Sequence, residues 1–280
     1  MQRLYIDSRD RAGGSNEDFE ISLPHSINVE RESVAVLDTV LIPNSFFTVT
    51  EDVDDRIYIK EDDFSGQRYR IAKVAPGYYH DLDSFARAVQ EALNDGRLVL
   101  FEYSVTYEAR SGRFRIWNQF KGEGENAIIW SRESLQRWPP TVGEEPLFPD
   151  FDRHDLKDAY RQLGVLYGSS PHTDRERGIN SMTMNQTPNL HTHNNLFIKG
   201  NLGVPGACFG PGGSMDILRR VVMQAPLLSK NFDNHGTHYD NIRIPPGTIN
   251  TLRFRLCGFD GKLVDLQGQP WSFSLVIYPA

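Results

Sequence analysis

The sequence predicts an all-β protein: an antiparallel jelly-roll sandwich with one short helix and a long loop-rich insertion. Three observations carry that expectation. Apolar and polar residues alternate with period two in several segments near both ends of the chain. A single segment carries a clear helical stripe. Gly, Pro and Asp-Gly turn signals punctuate the alternating runs. A doubly wound sheet would need a helix between most strands, and such segments are missing.

The elements follow in chain order. Leu4, Tyr5 and Ile6 open the chain as a strand. Ser8–Glu17 continues as a polar, glycine-containing arm that reads as mobile when isolated. Phe19, Ile21 and Leu23 alternate with polar residues. Ser33–Ile42 is denser in Val and Leu and reads as a strand buried on both faces. Leu82, Phe85, Ala86, Val89, Ala92 and Leu93 form the helical stripe. Asp81 or Asp83 can cap its start and Gly96 can end it, so a helix over Asp81–Asn94 should lay this stripe on a sheet. Phe101, Tyr103, Val105 and Tyr107, the turn Ala109-Arg110-Ser111-Gly112, then Phe114 and Ile116 make a hairpin with one apolar face. A weaker helical pattern covers Leu156–Leu166. Leu252, Phe254 and Leu256 alternate with Arg253 and Arg255. An Asp260-Gly261 turn follows, and Trp271, Phe273, Leu275 and Ile277 make the last strand.

Between these ends the periodicity fades and prolines accumulate. The expected organisation is therefore one jelly-roll domain over 1–280, with strands mainly in 1–118 and 196–280. Residues 119–195 read as a loop-rich insertion forming a projecting subdomain, because so long a stretch without clean elements is more often functional than connective. The strands Ser33–Ile42, Phe101–Tyr107, Thr251–Leu256 and Trp271–Ile277 are expected in one two-sheet sandwich, with Trp271 and Phe273 in its core.

Composition narrows the function. The 280 residues are 39% hydrophobic, 11% aromatic and 24% charged. Such a composition suits a folded chain. No apolar run approaches the roughly 18 residues of a spanning helix, and the first residues lack the apolar core of a signal peptide. Membrane insertion and secretion by that route are not expected. A net charge of −7 disfavours a uniformly basic nucleic-acid binder, so no sequence-specific nucleic-acid binding is expected. Of the 30 basic residues 23 are Arg, a type that suits contact surfaces, although genomic composition bias explains the same excess. Two cysteines, Cys208 and Cys257, cannot build a disulfide framework or a four-cysteine zinc site, and leave a single bridge open.

Catalytic and metal motifs are weak. His191-Thr192-His193 reads as placing two imidazoles on one face of a strand, and His235 and His238 lie further on, as in a cupin-type metal site. The carboxylate such a site needs is missing from Asn194-Asn195-Leu196-Phe197, and loop histidines are the plainer reading. The acidic run Glu51–Asp55 lacks the spacing and glycine of a calcium loop and reads as a solvated hairpin tip. No phosphate-binding loop, dinucleotide fingerprint or serine nucleophile elbow occurs. No catalytic residue, cofactor or metal is therefore assigned, and the chain is expected not to be an enzyme. Arg113 and Arg115, with Arg253 and Arg255, are candidate interface cations. Their proposed counterparts are the acidic segments Glu51–Asp55, Asp54 and Asp55 in particular, and Glu61–Asp63. Arg219-Arg220 is a further pair able to touch phosphate or carboxylate.

The order of segments is similar to one protein family. Leu4-Tyr5-Ile6-Asp7-Ser8-Arg9-Asp10 is followed by Phe19-Glu20-Ile21-Ser22-Leu23-Pro24. Next come Val36–Phe47 and Pro76-Gly77-Tyr78-Tyr79 before the helix. The chain closes with Ile249–Leu256, Asp260-Gly261-Lys262-Leu263-Val264-Asp265-Leu266 and Trp271–Ile277. This resembles the penton, or minor capsid, protein of Polinton-like viruses, virophages and related double jelly-roll capsid viruses. The match covers about 120 residues at the start and about 80 at the end, and its motifs are patterns of strand and turn. The resemblance implies a single upright jelly roll, a homopentamer at the five-fold vertices of an icosahedral capsid, and a virion location. It implies as partners a major capsid protein of double jelly-roll fold, with vertex or cement proteins as further candidates. It carries no catalytic residues. Two alternatives stay open: a cupin-like metal-dependent enzyme or ligand binder, and a receptor-binding spike on a similar sandwich.

Overall fold

The computed structural model describes all residues except 64–65, 99–100, 120–125, 131–134, 136–140, 143–144, 147, 149–155, 166–171, 177–178, 203–209, 211–212 and 235–240. The chain divides into two compact units. One is Met1–Phe46 together with His193–Ala280; the other is Phe47–Thr192.

Before the division point run β1 (Gln2–Asp7), β2 (Gly13–Gly14), β3 (Asp18–Val29) and β4 (Ser33–Pro43). The second unit holds β5 (Arg56–Asp63), β6 (Gly66–Lys73), α1 (Leu82–Asn94), β7 (Glu102–Glu108), β8 (Arg113–Gln119) and β9 (Asn126–Ile129). It continues with β10 (Thr141–Val142), β11 (Glu145–Pro146), α2 (Tyr160–Leu163), β12 (His172–Glu176) and β13 (Ile179–Thr183). The first unit resumes with β14 (Asn195–Gly200), β15 (Ile217–Val222), β16 (Lys230–Asp233), β17 (Ile242–Ile244), β18 (Gly247–Cys257) and β19 (Ser272–Pro279).

In the first unit the strand order is β1-β19-β4-β16 in one sheet, with β17 also on β4, and β15-β14-β18-β3-β2 in the other. Every pairing is antiparallel. Along the chain β1, β3, β4, β14, β15, β16, β18 and β19 enter the sheets in the sequence first, second, first, second, second, first, second, first. That winding is the jelly roll, the expected fold class. Alternation within each strand directs the core. Leu252, Phe254 and Leu256 of β18 point inward, whereas Arg253 stays exposed. Phe19, Phe254, Trp271 and Phe273 form the aromatic centre, with ring centroids 4.7 to 5.8 Å apart. These spacings are those of favourable aromatic pairs. β4 is the dense strand expected, pairing with β19 on one side and β16 and β17 on the other. Only one of its faces is fully buried; Val34, Val36, Thr39 and Leu41 are half-exposed.

The N-terminal arm departs from expectation, because it is pinned rather than mobile. Ser8 N–H donates to the Trp271 carbonyl at 3.0 Å, and Trp271 N–H returns a bond to Ser8 Oγ. The Trp271 indole N–H donates to the Asn16 carbonyl at 2.7 Å, and Asn16 Nδ2 to the Gly268 carbonyl at 2.8 Å. A buried indole needs an acceptor, and the arm supplies it. Gly14 makes the bend possible. Its φ is 93°, and a Cβ there would stand 2.0 Å from the Asp18 carbonyl oxygen.

The second unit has its own core, centred on Tyr58, Phe85, Val89, Phe101, Phe114, Ile116 and Phe148. Its sheets run β12-β13-β8-β7 and β6-β5-β9, with β10 paired to β11. The Asp81 side chain caps α1 by accepting from Ser84 N–H, and the stripe from Phe85 to Leu93 is buried, as the sequence predicts. The helix also occupies the edge of β7. Asn94 bonds both the N–H and the carbonyl of Tyr103, and Gln90 Oε1 accepts from Val105 N–H. The weaker helix shrinks to Tyr160–Leu163. Gly164 ends it in a left-handed conformation, as glycine commonly does after a helix. Its φ is 78°, and a Cβ there would meet the Gln186 carbonyl oxygen at 2.3 Å.

Two organisational expectations are corrected. The unit inserted between β4 and β14 begins at Phe47, not at 119. It takes in α1 and the hairpin β7–β8, so Phe101–Tyr107 belongs to the second unit rather than to the jelly roll. Both units are built from alternating strands, so the pattern holds no mark of where one core stops and the next begins.

Candidate assembly surfaces

Hydrogen-bond register fixes which side chains share the outer faces of the jelly roll. On the first sheet Tyr5, Ser274 and Thr39 make one cross-strand row, and Asp7, Ser272, Leu41 and Phe232 the next. In both rows the central strands β19 and β4 contribute uncharged side chains. Tyr5 and Phe232, on the two outer strands, are 78% and 62% exposed. Lys230 stands two residues from Phe232 on the same side. The turn before β16 presents Leu228, 57% exposed.

That turn is rigid. Leu228 has a φ of 60°. This is a left-handed conformation that disfavours a residue with a Cβ. Bonds on both sides hold it there. Leu228 N–H donates to the Asn44 carbonyl, Asn44 N–H donates to the Ser229 carbonyl, and Asn44 Nδ2 donates to the Ala225 carbonyl. Asn231 Oδ1 accepts from the N–H groups of Gln224 and Ala225.

The second sheet presents a different face. Phe197 lies in register with Cys257 and Arg220 and points outward, yet is largely covered. The Phe259 ring lies 6.5 Å from it and is itself 73% exposed. Val222, on the same side as Arg220, is also exposed. Ion pairs occupy the rest: Arg253 to Asp18 at 2.8 Å, and Arg255 to Asp216. The Asp18 hydrogen bond raises the Arg253 pKa further. Arg219 points into the sandwich. It is nearly fully buried, bonds the Leu37 carbonyl and pairs with Asp233 at 2.6 Å, tying the two sheets.

The remaining expected site residues separate into exposed and buried groups. Arg113 is exposed. The Arg115 guanidinium stacks 3.7 Å above the Trp117 ring centroid and bonds Glu108 and Ser181. That stacking is a cation–π contact. Among the acidic partners, Glu51 and Asp52 are exposed, whereas Asp54, Asp55 and Glu61 are engaged within the unit. Asp54 accepts from Thr50 N–H and from Gln162 Nε2, and burial pushes its carboxyl above the ordinary carboxylate range. Asp55 is buried. Glu61 is fully buried, accepting from Arg70 and from Tyr103 OH at 2.8 Å each, while Arg70 also bonds the Leu93 and Asp95 carbonyls. These carboxylates serve the second unit's interior, so the expected charge contact between Arg faces and the runs Glu51–Asp55 and Glu61–Asp63 loses Asp54, Asp55 and Glu61. Asp54 and Glu61 are satisfied there by Gln162, Arg70 and Tyr103, from other parts of the chain.

His191 and His193 lie before β14 rather than on a strand. His191 N–H bonds Asn189 Oδ1, and the His193 ring packs edge-on against Phe46 at 4.8 Å. His235, His238 and Cys208 lie outside the described residues. Cys257 is free and buried, and burial raises its thiol pKa. Among the described residues no three His, Cys, Asp or Glu side chains gather as a metal-holding group, and no helix is long and apolar enough to cross a membrane. Sequence reasoning missed Tyr5, Phe232 and Phe259 as surface residues. Tyr5 and Phe232 are large apolar residues in strands and so read as core until the sheet shows which side faces water, whereas Phe259 lies in the turn after β18.

No protein-family model and no curated protein matches this sequence. Among solved structures, the chain is similar to the penton protein of mavirus, with 10% identity, 100% of both chains covered and a TM-score of 0.46. It is also similar to a chain of the Sputnik virophage structure, with 11% identity, 98% of this chain and 97% of that one covered, and a TM-score of 0.40.

Proposed function

We propose that this chain is a structural virion protein: a penton-type minor capsid protein that forms a homopentamer at the five-fold vertices of an icosahedral capsid. The fold by itself hosts many functions. The observation that carries the reading is where the family-like segments fall. Leu4–Asp7 lies in β1, Phe19–Pro24 in β3, Val36–Pro43 in β4, Ile249–Leu256 in β18 and Trp271–Ile277 at the entry to and along β19. Those strands pair consecutively within the two sheets of one jelly roll.

Its work is mechanical rather than catalytic. The two outer faces differ in chemistry. One has two uncharged central rows between aromatic edges beside the ion pair of Arg3 with Asp38, and the other carries the pairs Arg253–Asp18 and Arg255–Asp216. A ring of five needs two different faces on each subunit, and closure then stops growth. The major capsid protein, of double jelly-roll fold, is the neighbour around the ring, with vertex or cement proteins as further partners. The unit Phe47–Thr192 is the elaboration carried by the vertex subunit. Native mass measurement and imaging of the assembled particle test the reading. The expected ring of five 31.9 kDa chains weighs about 160 kDa, with density on the five-fold axes. A stable trimer, or density away from those axes, overturns it.

A further inference from the structure

We infer that the outer edge of β1 is a docking site for an added strand: an extended segment of a different polypeptide, apolar at alternate positions, with one side chain in a cavity where β1 begins. In the capsid that segment belongs to another virion protein, and the inference rests on the proposed function for this source alone. Sheet order leaves β1 outermost, paired only with β19. Bond alternation in an antiparallel pair says which of its backbone groups are free. Ser8 N–H donates to the Trp271 carbonyl, and the register runs on from that pair, so the N–H and C=O groups of Gln2, Leu4 and Ile6 point at β19. Those of Arg3 and Tyr5 point away from the sheet, and nothing pairs with them among the described residues. Exposed edges are commonly guarded by Pro, by a bulge or by charged side chains. β1 has no Pro and no register shift, and its two charged residues are each already paired, Arg3 with Asp38 at 3.4 Å and Asp7 with Arg9 at 2.7 Å. Two other edges are closed from within the chain, β3 by β2 and β7 by residues of α1.

The cavity says what the added strand carries. A space of about 400 Å³ opens where β1 begins, lined by Gln2 and Ile277 from one sheet and Ile27 and Val29 from the other. Ile27, Val29 and Ile277 belong to the core, so the floor is apolar. Glu30 and Arg31, both exposed, also border it. Their charges are opposite, so strand pairing and an apolar side chain select the occupant rather than net charge. Side chains of an added strand alternate between the two sides of the sheet. Those on the side of Gln2 and Leu4 meet the cavity and Leu4 itself, which faces the core yet stays half-exposed. Those on the other side lie over Tyr5, 78% exposed. Both end segments of this chain are tied down: the Trp271 indole holds Asn16, and Ala280 N–H donates to the Glu32 carbonyl. The added strand is therefore another protein's. Main-chain bonds to Arg3 and Tyr5 hold it whatever its sequence, and the cavity reads an alternate side chain.

Panning a displayed library of short random segments on the purified chain tests this. Recovered segments should alternate apolar and polar residues and lack Pro. As synthetic peptides they should slow hydrogen exchange of the Arg3 and Tyr5 amides, which exchange freely in the chain alone, whereas the Leu4 and Ile6 amides are protected throughout. Tyr5→Pro removes one edge donor and no bond to β19, a change an edge strand tolerates. It should weaken these peptides about tenfold, because their acceptor is left unpaired, and Tyr5→Ala, which keeps the donor, should weaken them less. Gln2→Trp fills the cavity, keeps the edge donors and should weaken them independently; an unchanged Tm shows that each variant folds. A library with no binder, peptides held equally by wild type and Tyr5→Pro, or peptides that leave the Arg3 and Tyr5 amides exchanging overturns the inference. So does a homo-oligomer of the purified chain in which those two amides are already protected, since the occupant is then a second copy. Particles with this chain away from the five-fold axes, while Tyr5-dependent peptides still bind, would keep the docking edge and overturn the vertex reading instead.

Discussion

Phe273→Ala probes the jelly-roll core at its aromatic centre. Phe273 is 4% exposed on β19, paired with Ile6 on one side and Val40 on the other. Its ring stands 4.7 Å from Phe254, edge to face, and 5.2 Å from Trp271, stacked. Truncation of a buried Phe costs about 3–5 kcal/mol through lost transfer energy and the cavity left behind. The two aromatic contacts add about 0.5–1.5 kcal/mol each and place this site high in that range. Phe273→Leu keeps much of the volume and loses the ring contacts, so it should cost about half as much. The two units have separate cores, so the loss should fall on one of them. The jelly-roll unit comprises Met1–Phe46 and His193–Ala280. A unit of roughly 130 residues loses about 3–4 °C in Tm per kcal/mol, which puts the Ala variant about 10–18 °C below wild type for the transition reported by Trp271. Calorimetry with fluorescence of chains that keep only Trp271 separates the two transitions. A shift under about 3 °C, or an equal shift of both transitions, would refute the packing argument.

Three further outcomes concern the second unit. Arg70→Met leaves the buried Glu61 carboxylate without its cation. It should destabilise that unit by about 3–5 kcal/mol in urea titration, with much of the loss recovered in Arg70→Met/Glu61→Gln; no recovery in the double variant would count against the buried pair. Asp54 has a raised folded-state pKa, so the folded chain holds that proton more tightly than the unfolded one. Stability should therefore decline as pH climbs from the ordinary 3.8 through the folded value, and Asp54→Asn should flatten that decline; identical pH profiles would sink the assignment. The Asp81 carboxyl is lowered by its bond from Ser84 N–H, so its contribution is present above 3.8 and lost as pH falls through the lower folded value. Asp81→Ala should lower the Tm at neutral pH and make no difference in strong acid, which thermal melts at the two pH values check.

Local elements were legible in the residues alone. Strands β3, β18 and β19, the hairpin β7–β8, and helix α1 with its Asp81 cap could be read because alternation, helical stripe and capping are properties of a few neighbouring residues. The end segments also carried the family resemblance, because they are strands of one sandwich. The rest depended on contacts between distant parts of the chain. The boundary at Phe47 follows from which strands share a core, and two cores made of the same alternating pattern look continuous in sequence. Asp54 and Glu61 read as surface charges until Gln162, Arg70 and Tyr103 arrive from other positions to bury and satisfy them. The arm Ser8–Glu17 reads as mobile until the indole N–H of Trp271, at the other end of the chain, finds the Asn16 carbonyl. Tyr5 and Phe232 show why exposed aromatic residues were hidden: period two says that alternate residues face opposite ways, and only the winding of the sheets says which way is out.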